Sequence, residues 1–348
     1  FVLNAALSVL SGLVIMRWKR EHIPSPLGRE RLPSAMRVGV QFVRQSPRMR
    51  AVLWRISVFF LHATALMALL PLVAKGLEGG GAGTFTLLLA SMGAGAIVPA
   101  LFLPRLRQAM ARDVLVLRGT LVQAAATGVM AWAPNVYVAV PAMVLAGMAW
   151  ITTANTLSVS AQLALPNWVR ARGMSIYQMS IMGATAAGAA LWGQVASLTD
   201  VQTSLAVAAV SGGIVMAVVQ RLVADRAIEE DLSPSSAFKA PTAPTPPEAG
   251  RVVVTIEYFI HPARANEFRA VMQESRRSRL RQGALDWQLM HDISNPTRYV
   301  ERIEDESWTE HLRRFDRVTA SDVALRERKL AFHTGDAPPK VTRWTVER

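Results

Sequence analysis

The sequence predicts a multi-pass all-α membrane bundle followed by a small α+β domain, and three observations predict it. First, Gly119 to Val169 contains no Asp, Glu, Lys, Arg or His. A single helix of that length would run about 76 Å at ~1.5 Å per residue, and a hydrocarbon core is only about 30 Å thick. Pro134-Asn135 divides the run, so it reads as two crossings joined by a tight turn. A soluble core helix shows one apolar stripe, whereas these segments are apolar nearly all round. Second, charge is uneven: residues 1–230 carry 19 Lys+Arg against 8 Asp+Glu, and residues 231–348 carry 19 against 17. Third, from Arg251 the apolar pattern changes from long runs to short alternating strands and amphipathic helices.

The basic excess sits in short segments beside apolar runs. Membrane topology therefore explains it better than a nucleic-acid partner does, and none is expected. The chain has no cysteine, which excludes a disulfide framework and a thiolate metal site. No metal or cofactor is expected.

Taken in order, residues 1–16 are uncharged and mostly apolar and are followed by Arg17-Trp18-Lys19-Arg20. A signal peptide places its charge first. The reversed order reads as the end of a truncated transmembrane helix, and the chain as a C-terminal fragment. Residues 17–50 form a basic central loop. Within it, residues 35–50 alternate apolar groups with Arg37, Arg44, Arg48 and Arg50, which suits an amphipathic helix on an anionic leaflet or an ordinary solvated helix. Six crossings are expected at about 51–74, 84–104, 114–133, 136–165, 173–198 and 203–223. Loops 17–50, 105–113 and 166–172 are rich in arginine, whereas loops 75–83, 134–135 and 199–202 hold Lys75 as their only base. Positive loops stay inside, which puts the first set, and the chain after Arg221 and Arg226, in the cytoplasm. Residues 231–250 are proline-rich and predict an extended, semi-rigid linker.

Residues 251–348 predict strand Val252–Phe259, helix Pro262–Arg281, strands Ala284–Asp292 and Arg298–Glu304 around an Asn295-Pro296 turn, helices Trp308–Thr319 and Ala324–Phe332, and strand Val341–Val346. Strand, helix, strand, strand, helix, strand is the order of a ferredoxin-like α+β domain.

Seven crossings, the first partial and followed by a basic central loop, resemble the C-terminal half of a major facilitator superfamily (MFS) transporter. Three stretches resemble the subgroup related to enterobactin exporters and transmembrane secretion effectors. They are Gly93-Ala94-Gly95 with Leu103-Pro104-Arg105-Leu106-Arg107, Leu165 through Gly173 with Tyr177, and Glu306-Ser307-Trp308-Thr309-Glu310-His311-Leu312-Arg313. The last also resembles domains related to antibiotic-biosynthesis monooxygenases. The resemblance implies alternating-access efflux of a small amphiphilic molecule, siderophore-like or drug-like, commonly driven by protons, in the inner (plasma) membrane. It implies the lipid bilayer, a small-molecule substrate and the missing N-terminal half of the transporter as partners.

Two readings are open for Arg105, Arg107, Arg112, Asp113, Arg170 and Arg172. They form a cytoplasmic gate that pairs with the other half in one state, or they only fix topology. Thr152, Asn155, Val159 and Gln162 share one helical face, and Ser175, Gln178, Met182 and Thr185 repeat its spacing. Amides facing lipid are costly, so both stripes are expected to face a cavity or another helix. His62 is the only titratable group well inside its crossing, and either binds substrate or protons or packs through a hydrogen bond. No carboxylate lies inside a crossing, so an acid that couples protons is expected in the missing half. The small-residue runs at Gly93-Ala94-Gly95 and Gly183–Gly188 suit close helix packing, not a phosphate loop. In the tail, no nucleophile–base pair or metal spacing is visible, and dimerisation or regulation is expected rather than catalysis. A second hypothesis makes the tail a membrane-anchored monooxygenase-like or ligand-sensing domain.

Overall fold

The computed structural model describes residues 2–18, 27–77, 80–223, 230–238, 241 and 250–347, without the side chains at 100 and 103–107. Most of the basic loop at 19–26, and the prolines at 242–249, lie outside the described residues.

Six helices are long and apolar enough to cross a membrane. They are α3 (Pro47–Gly76), α4 (Ala82–Ala109), α5 (Arg112–Ala131), α6 (Val136–Leu163), α7 (Arg170–Leu198) and α8 (Val201–Val223). Two shorter helices precede them, α1 (Val2–Arg17) and α2 (Leu32–Gln45). No residue of α1 is buried. The single helix expected over 35–50 is broken at Ser46. That hydroxyl caps α3 by accepting from the Met49 amide at 3.2 Å, and Pro47 supplies the fixed φ of a first helical turn. Asn135 caps α6 in the same way, accepting from the Val138 amide at 3.2 Å. Pro134-Asn135 therefore forms the tight turn that its residue types predict.

In the bundle α6 packs on α4 and α5, α3 on α7 and α8, and α5 on α8. Small residues set the separations. A Cβ on Gly95 would sit 2.1 Å from the Val144 carbonyl oxygen, and one on Gly147 would sit 2.0 Å from that of Met92. The backbones of α4 and α6 thus touch at two reciprocal points. Hydroxyls inside the bundle bond back to their own helix, as in Thr120 to the Val116 carbonyl (2.8 Å) and Thr156 to that of Thr152 (2.7 Å). Neither then needs a partner from hydrocarbon.

The C-terminal domain contains β1 (Val252–Phe259), α9 (Ala265–Arg281), β2 (Asp286–His291), β3 (Arg298–Asp305), α10 (Trp308–Asp316), α11 (Ala320–Leu330) and β4 (Val341–Thr345). Its sheet is antiparallel in the order β2-β3-β1-β4. Val254 pairs with Ile303 and Tyr258 with Tyr299, and all four are buried. Ile256 pairs with Glu301, which is 0% exposed. Glu301 accepts from Ser275 and Trp287 (2.9 Å each), Tyr258 (3.2 Å), and Arg279 and Lys329 (3.4 Å each). Burial opposes its ionisation, but Lys329, Arg279 and the hydrogen bonds overcome it and hold the carboxyl far below its ordinary range. At Lys329 burial outweighs the pull of Glu301, and its ammonium is held down to about 8.

Residues 231–250 do not act wholly as a spacer. The Ser235 amide donates to the Val318 carbonyl (3.0 Å), and the Ala320 and Ser321 amides donate to the Ser233 (3.0 Å) and Asp231 (3.1 Å) carbonyls. Residues 231–235 are thereby fixed along the chain between α10 and α11. Nor does α2 lie on lipid through its apolar face. Val38, Phe42 and Val43 are buried, and α2 packs against α9, α7 and α3.

Two outcomes follow from these contacts. Gly147→Val separates α4 from α6 and lowers the melting temperature of the detergent-solubilised protein, whereas Gly183→Val, at a glycine with open space around it, leaves it unchanged. Because the Glu301 carboxyl ionises more readily folded than unfolded, its stabilisation is complete above pH ~4.5 and is lost as pH falls below that. Glu301→Gln costs about 3 kcal/mol at neutral pH, by stranding Lys329 and Arg279, and flattens the acid limb of a plot of sheet-amide exchange against pH.

Candidate functional site

The bundle is built up from its arginine-rich end. Arg55, on the third turn of α3, is 7% exposed. It holds Asp113, in the first turn of α5, through Nη1–Oδ1 at 2.6 Å and Nη2–Oδ2 at 3.2 Å. This bidentate geometry is what a planar guanidinium supplies and a lysine does not. Gln220 of α8 donates to the Asp113 carbonyl at 2.9 Å. Three helices are thus tied at one end. The gate reading has Asp113 pair with the other half in one state; in this structure its partner, Arg55, lies within the same bundle. Arg118, exposed a little further along α5, donates to the Met110 sulfur at 2.8 Å and so turns back toward the same end.

Arg172, at the start of α7, bonds to Glu30 of the central loop. Glu30 also bonds to Arg317, which follows α10 of the C-terminal domain. Arg317 is 5% exposed, donates to the Gln282 carbonyl at 2.7 Å, and lies over the Trp168 ring at 5.2 Å. One carboxylate therefore joins the central loop, the start of α7 and the C-terminal domain. A second contact reinforces the joint: Arg37 of α2 donates to Glu306 at 2.9 Å. Arg112 and Arg170 are exposed. The side chains of Arg105 and Arg107 lie outside the described ones.

The expected pathway residues divide in two. His62 sits where α3, α7 and α8 meet. Its Nδ1 lies 2.8 Å from the Val58 carbonyl, its ring is 5.7 Å from that of Trp192, and a Cβ on Gly212 would stop 3.0 Å from its own Cβ. This environment matches the packing alternative. By contrast Asn155, Gln162 and Gln178 are exposed on the outside of the bundle, and Thr152 is half-buried. Met179 and Met182 are exposed at 72% and 56%, on the same helix as Gln178. Gln162 lies in the last turn of α6, whereas Asn155 and Gln178 each lie about two turns inside their helices, where an amide is stable only against protein or water.

Sequence reasoning missed two residues. Arg55 has no signal in its own segment, because the carboxylate it holds lies 58 positions away. Gln123 of α5 is 3% exposed, and neither atom of its amide has a protein partner. The signal was an isolated amide in a charge-free run. Buried Thr64 and Thr153 also carry an unpartnered hydroxyl oxygen, so the interior of the bundle retains polar capacity. Among the described residues, no group of three or more His, Asp or Glu is placed to hold a metal ion.

A family profile described as transmembrane secretion effector matches residues 1–348. The chain belongs to that family. It is therefore a multi-pass MFS transporter rather than an enzyme by family. None of the curated proteins matches the sequence. In this transporter the Arg55–Asp113 pair and the Glu30 joint brace the arginine-rich end, and the α6–α7 surface carries the exposed amides.

The helix-end pair makes a measurable difference. Arg55→Ala and Asp113→Ala each lower the melting temperature of the solubilised transporter. Their double variant falls short of the sum by an interaction of about 0.5–3 kcal/mol.

Proposed function

We propose that this transporter exports a small amphiphilic molecule by alternating access, driven by protons, with its arginine-rich end and its C-terminal domain in the cytoplasm. The observation that carries the reading is the exposure of Asn155 and Gln178 about two turns inside helices otherwise suited to lipid, with Gln162 exposed at the end of α6. Such amides belong against water, substrate or a facing protein surface. Met179 and Met182 beside Gln178 add adaptable, polarizable area, so the same wall suits a molecule with both apolar and polar parts, siderophore-like or drug-like. Family membership supports transport as the activity, and the positive-inside rule supports the orientation. An enterobactin-exporter-like subgroup is the finer assignment favoured by the loop motifs.

Arg112, Arg170 and Arg172, together with Arg105 and Arg107, act in this reading at the cytoplasmic gate. Arg55–Asp113 fixes the helix ends that the gate moves as a unit. Thr152 and His62 contribute to the wall and to its packing. The sheet order β2-β3-β1-β4, with α9 between β1 and β2 and the α10–α11 pair between β3 and β4, supports a ferredoxin-like fold for the C-terminal domain.

Efflux tests this directly. Cells expressing the intact gene accumulate less of a fluorescent amphiphilic dye than control cells, and a protonophore abolishes the difference. Asn155→Leu combined with Gln178→Leu reduces efflux about tenfold, equivalent to ~1.4 kcal/mol, at unchanged membrane abundance. Undiminished efflux in that variant assigns the amides to packing alone.

A further inference from the structure

The C-terminal domain holds a partly open cavity of about 240 Å³ between the sheet, α9, α10 and α11. That is room for about eight waters at ~30 Å³ each. Val254, Ile256, Phe315 and Leu325 give it apolar walls, and Phe238 closes one side. Its polar lining is strongly one-signed: Arg279, Arg314, Arg326, Lys329 and Arg343 face Asp322. Glu301 and Asp305, buried beside the lining, bond to Lys329 and Arg314. Five cations thus meet three carboxylates among the described residues, leaving positive charge uncompensated. Arg314 is 5% exposed, and its Nε has no protein acceptor. A buried donor without an acceptor is costly, and in a cavity it marks where an acceptor belongs.

Helix α10 touches both this cavity and the central loop. His311, Arg314 and Phe315 line the cavity, at offsets 0, 3 and 4 along one face of α10, and Val318, just beyond the helix, lines it too. Glu310 and Arg313 fall on another face, and Arg317 caps the helix end. Arg313 donates to the carbonyls of Leu27, Gly28 and Arg29 at 2.9–3.3 Å, and Arg317 bonds to Glu30, which holds Arg172. The same short helix and its C-cap therefore touch the cavity on one face and grip residues 27–30 on another.

We propose that the cavity binds a small amphipathic anion, an aryl or short alkyl carboxylate, and that α10 transmits its occupancy to the Glu30 joint. Apolar walls take the body of the ligand, and Arg314, Arg326 and Arg343 take the carboxylate. The effect on Arg172 rests on the transport reading, whereas binding does not.

Hydrogen exchange on the intact transporter in lipid nanodiscs separates the two, with 2-naphthoate as probe and 2-naphthamide as its uncharged counterpart. The expected result is saturable protection by naphthoate of the amides at 311–318 and altered exchange at 27–30, with naphthamide at least tenfold weaker. Arg326→Gln with Arg343→Gln, both at exposed positions, weakens naphthoate at least tenfold without changing exchange of the unliganded sheet. Absence of saturable protection, equal binding of the amide, or an unaffected double variant overturns the site. Protection at 311–318 with no change at 27–30 overturns the transmission. None of these readouts involves efflux, so a failed dye assay counts against the transport reading alone.

Discussion

Hydrocarbon offers no hydrogen bonds, and most features of the bundle answer that single constraint. Backbone polar groups are closed within helices. Serine and threonine hydroxyls fold back onto the preceding turn, as Ser91 does to Leu87 and Ser180 to Ile176. With no hydrophobic drive between helices in lipid, close contact must come from shape. That is why Gly95 and Gly147 stand where the backbones of α4 and α6 meet. Of the groups not closed locally, arginine meets carboxylate at the helix ends, Asn155 and Gln178 are exposed on α6 and α7, and Gln123, Thr64 and Thr153 stay buried with unpartnered polar atoms.

At the arginine-rich end the solvent changes to water and the logic changes with it. Exposed ion pairs are worth little, but Arg55 and Arg317 are both buried, and each is held by a carboxylate within a larger set of contacts. Glu30 is the hinge of this arrangement. Through Arg172 it fixes the start of α7, and through Arg317 it fixes the C-terminal domain. The domain is not a passenger on a loose tether: α2 lies against α9, and residues 231–235 run along the chain beyond α10.

The crossings were legible because their signal is local. A charge-free run, a Pro-Asn break and alternating arginine loops need no knowledge of tertiary contacts, and helix ends moved by only a few residues. Ser46 was the exception. It reads as part of an amphipathic segment until Pro47 is recognised as a first-turn proline. The strand and helix order of the C-terminal domain was legible from its shift in periodicity. What escaped was long-range. Arg317 and Glu30 are 287 positions apart, and no pattern in either segment points to the other. The amphipathic pattern of α2 was correct, but pattern alone cannot distinguish a membrane surface from the helices it packs on. The cavity was invisible for the same reason, since its cations come from α9, α10, α11 and β4.

The account stands on the sidedness of the bundle, and the absence of cysteine from the chain allows a clean measurement. Single-cysteine variants at positions 112 and 170, and at 135 and 199, can be exposed in intact cells to a membrane-impermeant maleimide. The account predicts labelling at 135 and 199, and labelling at 112 and 170 only after the membrane is opened. Labelling of 112 and 170 on opposite sides, or of all four positions in intact cells, would contradict it.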